Sequence, residues 1–335
     1  MSLQVTLKPS GHQFNVEFGE TLLEAALRSG ISLEYNCNNG TCGKCQASLV
    51  DGEIAETLHS DFVFKNTGKV EKQILLCRCK PATDLILEAR EASNADEIPE
   101  QSIQTQVYRI EEASGDIRLL QLRTPRSQSL QFLAGQHVRL KVEGLPARHK
   151  SIASCPCNGM YLQFHFRNNP DNEFSNYIFN QVKTKSKITV TGPYGGFHLD
   201  EDSPRTIIFI AYETGFAPIK SLVEHALARE MSQDIHLYWL SRTNTPHYLE
   251  NYCRAWSDAE DNFHYHSVTL ATDVDAQIPQ QLEHWGDSLL DKHPVLSDCD
   301  IYINGPDEKF KRLSDKLIEN GLPRAQLQID NMQRY

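Results

Sequence analysis

Three cysteines, Cys37, Cys42 and Cys45, fall within nine residues in a segment otherwise made of Gly, Asn, Thr and Lys. Their Cys-x4-Cys-x2-Cys spacing, completed by one more thiol further along, is that of a loop wrapping a [2Fe–2S] cluster. The cluster is anionic, so such a loop must supply thiolates and also bring backbone N–H groups close to the sulfurs. Gly40 and Gly43 permit that approach. Cys77 and Cys79, after the apolar run Ile74-Leu75-Leu76, are the two candidates for the fourth ligand. A zinc site would favour paired Cys-x2-Cys or Cys/His sets, which the x4 spacing fits poorly.

The remaining composition is that of a folded chain of two or three domains: 335 residues, 40% hydrophobic and 23% charged. The longest apolar stretch, Thr206 to Ala211, is strand-sized, so no membrane-inserted helix is expected. The opening MSLQVTLKPSGHQF lacks a basic segment followed by an apolar one. With nine cysteines, four of them within 37–77, this favours metal or redox chemistry in a cytoplasmic protein over structural disulfides. The formal charge of −11 divides unevenly. Residues 1–92 carry 9 basic and 12 acidic side chains (net −3), residues 104–200 carry 12 and 7 (net +5), and residues 201–335 carry 12 and 22 (net −10). That balance excludes a nucleic-acid binder and suits a middle segment holding an anionic cofactor.

The patterning divides the chain into residues 1–92, a polar acidic linker at 93–103, and two further units at 104–200 and 201–335. The first unit reads as a small β-rich fold with one helix, opened by the capping box Thr21-Leu-Leu-Glu24. The second reads as short strands broken by turns, the pattern of a small antiparallel β-barrel, with one helix from Glu173 to Val182. In the third, strands such as RTIIFIA, DIHLYWLS and CDIYING alternate with helices near 218–231, 248–256, 277–290 and 307–320. Strict alternation means a doubly wound parallel α/β sheet.

Over residues 1–90 the chain resembles the plant-type ferredoxin family, whose β-grasp fold carries its last ligand after an apolar strand and before a short loop ending in Asp. Ile74-Leu75-Leu76-Cys77 followed by Pro81-Ala82-Thr83-Asp84 fits that pattern, which implies Cys77 as the fourth ligand and Cys79 as a neighbour. Arg148-His149-Lys150-Ser151, expected to precede a strand Ile152-Ala153-Ser154, resembles the flavin signature of the ferredoxin–NADP reductase superfamily. Glu173-Phe174-Ser175-Asn176-Tyr177 and Gly192-Pro193-Tyr194-Gly195-Gly196-Phe197 match the same family. The resemblance implies FAD, with Arg148 and His149 near its pyrophosphate, Ser151 near flavin N5, and Ser175 and Asn176 at a helix N-terminus facing phosphate. The family has Tyr or Phe where this chain has Lys150, so that residue meets the isoalloxazine as a cation.

Ile207 to Ala211 followed by Tyr212-Glu213-Thr214-Gly215-Phe216-Ala217-Pro218 resembles the family's strand, glycine-rich turn and helix for NADH or NADPH, implicating Thr214, Gly215 and Pro218. Tyr212 and Glu213 stand where glycines are usual, and Asn304-Gly305-Pro306 aligns with a Cys-Gly-Pro motif whose cysteine lies beside the nicotinamide. Ser241 and Arg242, after a strand, are candidates for a 2′-phosphate, and the C-terminal Tyr335 for a ring covering the flavin. His264 and His266 read as structural or surface, and Cys155, Cys157, Cys253 and Cys299 as small core residues or free thiols. The resemblance implies an NAD(P)H-dependent iron–sulfur flavoprotein that passes electrons to a partner protein, an oxygenase or dehydrase component. A non-catalytic relay or sensor with a degenerate nicotinamide site is the competing expectation, resting on Lys150, Glu213 and Asn304.

Overall fold

The computed structural model describes residues 2–64, 72–92, 94–125, 127–243 and 247–330. In the N-terminal unit, strands β1 (Leu3–Lys8) and β2 (Gln13–Val16) form an antiparallel hairpin, and helix α1 (Leu22–Arg28) crosses beneath it. Thr21 starts that helix as read: its Oγ1 accepts from Glu24 N at 3.3 Å while Glu24 Oε2 accepts from Thr21 N at 2.9 Å. Removing such a cap costs about 1 kcal/mol. Strands β3 (Gln46–Asp51), β4 (Ile54–Thr57), β5 (Lys72–Leu75), β6 (Cys79–Pro81) and β7 (Leu85–Glu88) follow. The main sheet has the order β2-β1-β7-β3-β5, with β1 and β7 parallel; β4 and β6 pair separately. Val5, Leu7, Phe14 and Val16 alternate inward onto Leu22, Leu23 and Ala26 of α1.

Strands β8 (Gln101–Ser114), β9 (Ile117–Arg123), β10 (His137–Lys141), β11 (Arg148–Ser151), β12 (Tyr161–Arg167) and β13 (Lys187–Tyr194), with helix α2 (Glu173–Asn180), make the second unit. The sheet order is β11-β10-β13-β8-β9-β12, all antiparallel, and it nearly closes: Ala153 N donates to Gln163 O of β12 at 2.8 Å. Strand β8 begins inside the segment expected to be linker. The expected strand Ile152–Ser154 is displaced onto Arg148–Ser151, because these four residues pair with His137–Leu140 and the chain leaves the edge after Ser151.

The third unit alternates β14 (Thr206–Tyr212), α3 (Phe216–Ala228), β15 (Ile235–Arg242), α4 (Glu250–Ala259), β16 (Phe263–Leu270), α5 (Ile278–Lys292), β17 (Cys299–Asn304), α6 (Asp307–Glu319) and β18 (Leu327–Ile329). All pairs are parallel in the order β16-β15-β14-β17-β18. Helices on both faces explain why Ile207 to Ala211 is an unbroken buried run. The strand order reverses between β14 and β17, and a crevice opens there at the carboxyl ends, where such sheets receive ligands.

The units pack directly on one another. Gln131 Nε2 donates to Leu33 O at 3.1 Å and Ser129 N to Asn36 O at 2.6 Å, joining barrel to N-terminal unit. Lys220 Nζ and Ser221 Oγ of α3 donate to Ala153 O and Ser154 O at 3.2 and 2.8 Å, joining the third unit to the barrel.

Candidate cluster, flavin and nucleotide site

The loop between α1 and β3 carries Cys37, Cys42 and Cys45, and a 3₁₀ turn after β5 carries Cys77. Leu76 N donates to Cys45 O at 2.9 Å, which fixes that turn against the loop. The thiols meet in two pairs, Cys37 with Cys42 and Cys45 with Cys77. Two thiols for each of two irons is what a [2Fe–2S] centre requires. Backbone N–H groups already point at sulfur: Cys42 N lies 3.4 Å from Cys37 Sγ and Lys44 N 3.5 Å from Cys42 Sγ. Gly40 and Gly43 have φ of +77° and +72°, conformations that side chains disfavour. Cys79 is placed differently, buried with its sulfur 3.9 Å from Thr57 Oγ1. The donor set and its backbone therefore fit the cluster.

A cleft of about 440 Å³ runs between β11 and the start of α2, with Arg148, His149, Lys150 and Ser175 in its wall. Arg148 is exposed at its rim. Arg167, at the end of β12, also lines it, with Nε and Nη2 buried and lacking hydrogen-bond partners. That guanidinium suits an anionic ligand such as a pyrophosphate. Only its position in the folded barrel reveals this; the sequence signal was a single arginine closing a strand. Ser175 and Asn176 hold the wall in place. Ser175 Oγ accepts from Asn169 N at 2.8 Å, and Asn176 Nδ2 donates to Pro170 O at 2.7 Å. The cap of α2 is Asn172, whose Oδ1 accepts from Ser175 N at 3.0 Å. Lys150 lies with Nζ 5.1 Å from the centre of the Phe166 ring, and burial, then Arg148, depresses its ammonium pKa.

A second crevice of about 220 Å³ occupies the switch point and shares Lys150 and Thr214 with the first. Thr214, Gly215, Pro218, Asn304 and Ser151 all line it. Gly215 is required by proximity, since a Cβ there would lie 2.4 Å from Asn304 O. It also precedes α3, whose first turn offers few donors: Phe216 N–H already donates to Glu213 O and Thr214 O, and Pro218 has no N–H. Asn304 Nδ2 donates to Asp330 Oδ2 at 2.6 Å, and Ser151 Oγ lies 3.4 Å from the same oxygen. Asp330 had no sequence signal, being remote from both in the chain. Glu213, with φ +50°, turns its carboxylate to Arg242 (2.6 Å) and Arg167 (3.5 Å), so its charge is paired. Arg242's fork is therefore engaged, and Ser241 is buried at 2% exposure. Tyr335 lies outside the described residues.

Residues 5–82 match the 2Fe-2S iron-sulfur cluster binding domain, residues 104–199 the oxidoreductase FAD-binding domain, and residues 209–314 the oxidoreductase NAD-binding domain. The chain is 32% identical over 322 residues to the CDP-6-deoxy-L-threo-D-glycero-4-hexulose-3-dehydrase reductase of Yersinia pseudotuberculosis, covering 96% of each. It is 31% identical over 274 residues to a reductase component of terephthalate 1,2-dioxygenase from Comamonas sp, covering 82% of this chain and 80% of that one. Among solved structures, a cytochrome P450 reductase of Amycolatopsis shares the fold with a TM-score of 0.62 at 23% identity, covering 98% of both chains. Among the described residues no helix is long and apolar enough to cross a membrane. The chain is thus an iron–sulfur flavoprotein oxidoreductase, and it belongs to the electron-transfer reductases that join a [2Fe–2S] ferredoxin domain to the FAD- and NAD-binding domains of the ferredoxin–NADP reductase superfamily.

Proposed function

We propose that the chain accepts reducing equivalents from NADH at the β14–β17 crevice and delivers single electrons, through FAD and the Cys37/Cys42/Cys45/Cys77 cluster, to a separate partner enzyme. Bound FAD supplies the conversion of a hydride's electron pair into single electrons, and the cluster carries them one at a time. The protein sets position and access. Arg148 and Arg167 hold phosphate groups; Lys150, Ser151 and Thr214 form the wall where flavin and nicotinamide meet. The shared wall at Lys150 and Thr214 is the observation that carries this reading. The domain boundaries that go with it are 1–92, 104–200 and 201–335 around a 93–103 linker.

The partner we favour is a deoxysugar dehydrase, since the dehydrase reductase relative aligns along 96% of both chains; an oxygenase component is the alternative. Val63 and Phe64, exposed beside Phe62, which packs on Gly43 of the cluster loop, offer an apolar contact for that partner. NADH is preferred to NADPH because Arg242 is already paired with Glu213.

The competing relay reading rests on Lys150, Glu213 and Asn304, all in the crevice wall, with Glu213 at a positive φ where glycine is usual. Anaerobic visible-absorption titration with NADH decides between them. Bleaching of the flavin and then of the cluster bands is expected. Intact bands in both NADH and NADPH would mean that hydride does not enter here.

A further inference from the structure

Cys155 and Cys157 lie away from the cluster loop, in the turn after β11, with Pro156 between them. They are not the free thiols expected from sequence: the structure joins them in a disulfide with Cα atoms 5.1 Å apart. Cys155 is buried and Cys157 half-buried. A ring nitrogen of His225, on α3, meets both sulfurs, the three atoms lying within 4.8 Å of one another. His225 is only 6% exposed. Its Nε2 is 2.8 Å from Glu201 Oε1, and its Nδ1 is buried without a hydrogen-bond partner.

A bridge across a three-residue loop removes little freedom from the unfolded chain, so it is a poor structural staple. The orphaned Nδ1 is explained if the pair is also used reduced, because a thiolate then faces it. Glu201 orients the ring, and an imidazole beside a thiol offers its proton a base and so favours the thiolate. The other charges around the pair are Arg229, 3.0 Å from Glu201, and Glu224, which accepts from Cys155 N at 3.0 Å and pairs with Lys220. Pro156 and Cys157 also line a small cavity with Leu27, Ile31 and Tyr35 of the N-terminal unit, so the pair sits in the seam between units.

We propose that Cys155 and Cys157 form a redox-active dithiol–disulfide couple that exchanges with low-molecular-weight thiols, with His225 holding a proton beside the reduced pair. The thiolate of a first glutathione-type thiol attacks the more accessible Cys157 sulfur. The Cys155–Cys157 bond breaks, a mixed disulfide forms on Cys157, and Cys155 leaves as a thiolate facing His225. A second thiol attacks the glutathione sulfur of that mixed disulfide, releasing oxidised glutathione and the Cys157 thiol. Two thiols are oxidised to one disulfide, two electrons reduce the pair, and the two protons released end on the Cys157 sulfur and on the Cys155–His225 pair.

The protein, with cluster and FAD bound, is equilibrated anaerobically in mixtures of reduced and oxidised glutathione, alkylated with iodoacetamide and digested with trypsin. The peptide 151–167 contains Cys155 and Cys157 and no other cysteine, so mass spectrometry reads this pair alone. Its bridged and doubly alkylated forms are expected to interconvert reversibly with the glutathione ratio. Alkylation of the reduced pair in His225→Gln is expected to be about tenfold slower at neutral pH, as one unit in thiol pKa gives. A pair that stays alkylatable in excess oxidised glutathione, or a bridge that glutathione cannot open in the folded protein, overturns the proposal. So does an intact mass carrying a metal ion that Cys157→Ser loses. An unchanged alkylation rate in His225→Gln overturns the role given to that histidine.

Discussion

Glu213 Oε1 accepts from Arg242 Nε at 2.6 Å, which turns two residues that look opposed in sequence into one paired element of the nucleotide crevice. A carboxylate there would repel a pyrophosphate if it stood alone; with Arg242 and Arg167 at its two oxygens it does not. The pair also engages the guanidinium that is the candidate partner for a 2′-phosphate. The ratio of kcat/KM for NADH over NADPH is expected to exceed unity. In Glu213→Gln that ratio falls by about tenfold, the scale of one charge-assisted contact. An unchanged ratio would show that Arg242 has no part in nucleotide choice.

Asp330 links the two sides of the crevice proposed for hydride transfer, through Asn304 and Ser151. Asp330→Ala removes the acceptor that orients the Asn304 amide. Stopped-flow reduction of the flavin by NADH is expected to slow by about tenfold, with FAD content unchanged. Equal rates would show that Asp330 has no part in flavin reduction.

The cysteines around the 3₁₀ turn part company by position. Cys77→Ser is expected to abolish the cluster and Cys79→Ser to retain it, measured as iron and labile sulfide per protein, because Cys77 faces Cys45 whereas Cys79 faces Thr57. The opposite result would reassign the fourth ligand.

Arg148→Ala is expected to weaken FAD retention by roughly tenfold to a hundredfold, the range for losing a charged pair to a phosphate. Purified variant holding stoichiometric FAD after dilution would contradict that role.

The outer face of β15 and β16 carries His236 and His266, with His293 packed against them: Nδ1 of His236 is 3.2 Å from Nε2 of His266, and Tyr238 Oη is 2.8 Å from His293 Nε2. Burial first, then the neighbouring histidines and Lys292, lowers His236 to about 3; burial and then Lys292 lead in lowering His266 to about 4. The folded state thus refuses protons that the unfolded chain accepts below about pH 6.5. Stability is full above that pH and falls as pH drops toward 4 and 3, by at most about 1.4 kcal/mol per pH unit for each histidine, less for their partial exposure. Urea midpoints measured from pH 7.5 to 5 should fall, and fall less in His236→Gln. Equal slopes would exclude the cluster as the cause.

What was legible in sequence was what is encoded locally. The cluster loop is a spacing and two glycines; the α1 cap is Thr21 and Glu24; the buried strand β14 is an apolar run. The flavin signature also lies in four consecutive residues, though their strand began earlier than expected because pairing with β10, not propensity, decides where an edge strand ends. The long-range relations were not legible. Asp330 lies 179 residues from Ser151, and Glu213 lies 29 from Arg242, so only the folded sheets bring them together. Ser175 and Asn176 read as phosphate ligands because they open a helix, yet their side chains meet the loop at Asn169 and Pro170 first. The Cys155–Cys157–His225 group was hidden for the same reason, its histidine coming from another unit.

In the proposed function, one chain carries electrons from a pyridine nucleotide to its own iron–sulfur centre. Low-temperature EPR of the anaerobic protein mixed with NADH reads that transfer at its end point. A reduced [2Fe–2S] signal approaching one spin per protein is expected, absent from a Cys77→Ser control. A protein whose cluster is reduced by dithionite but stays silent with NADH and with NADPH would contradict it.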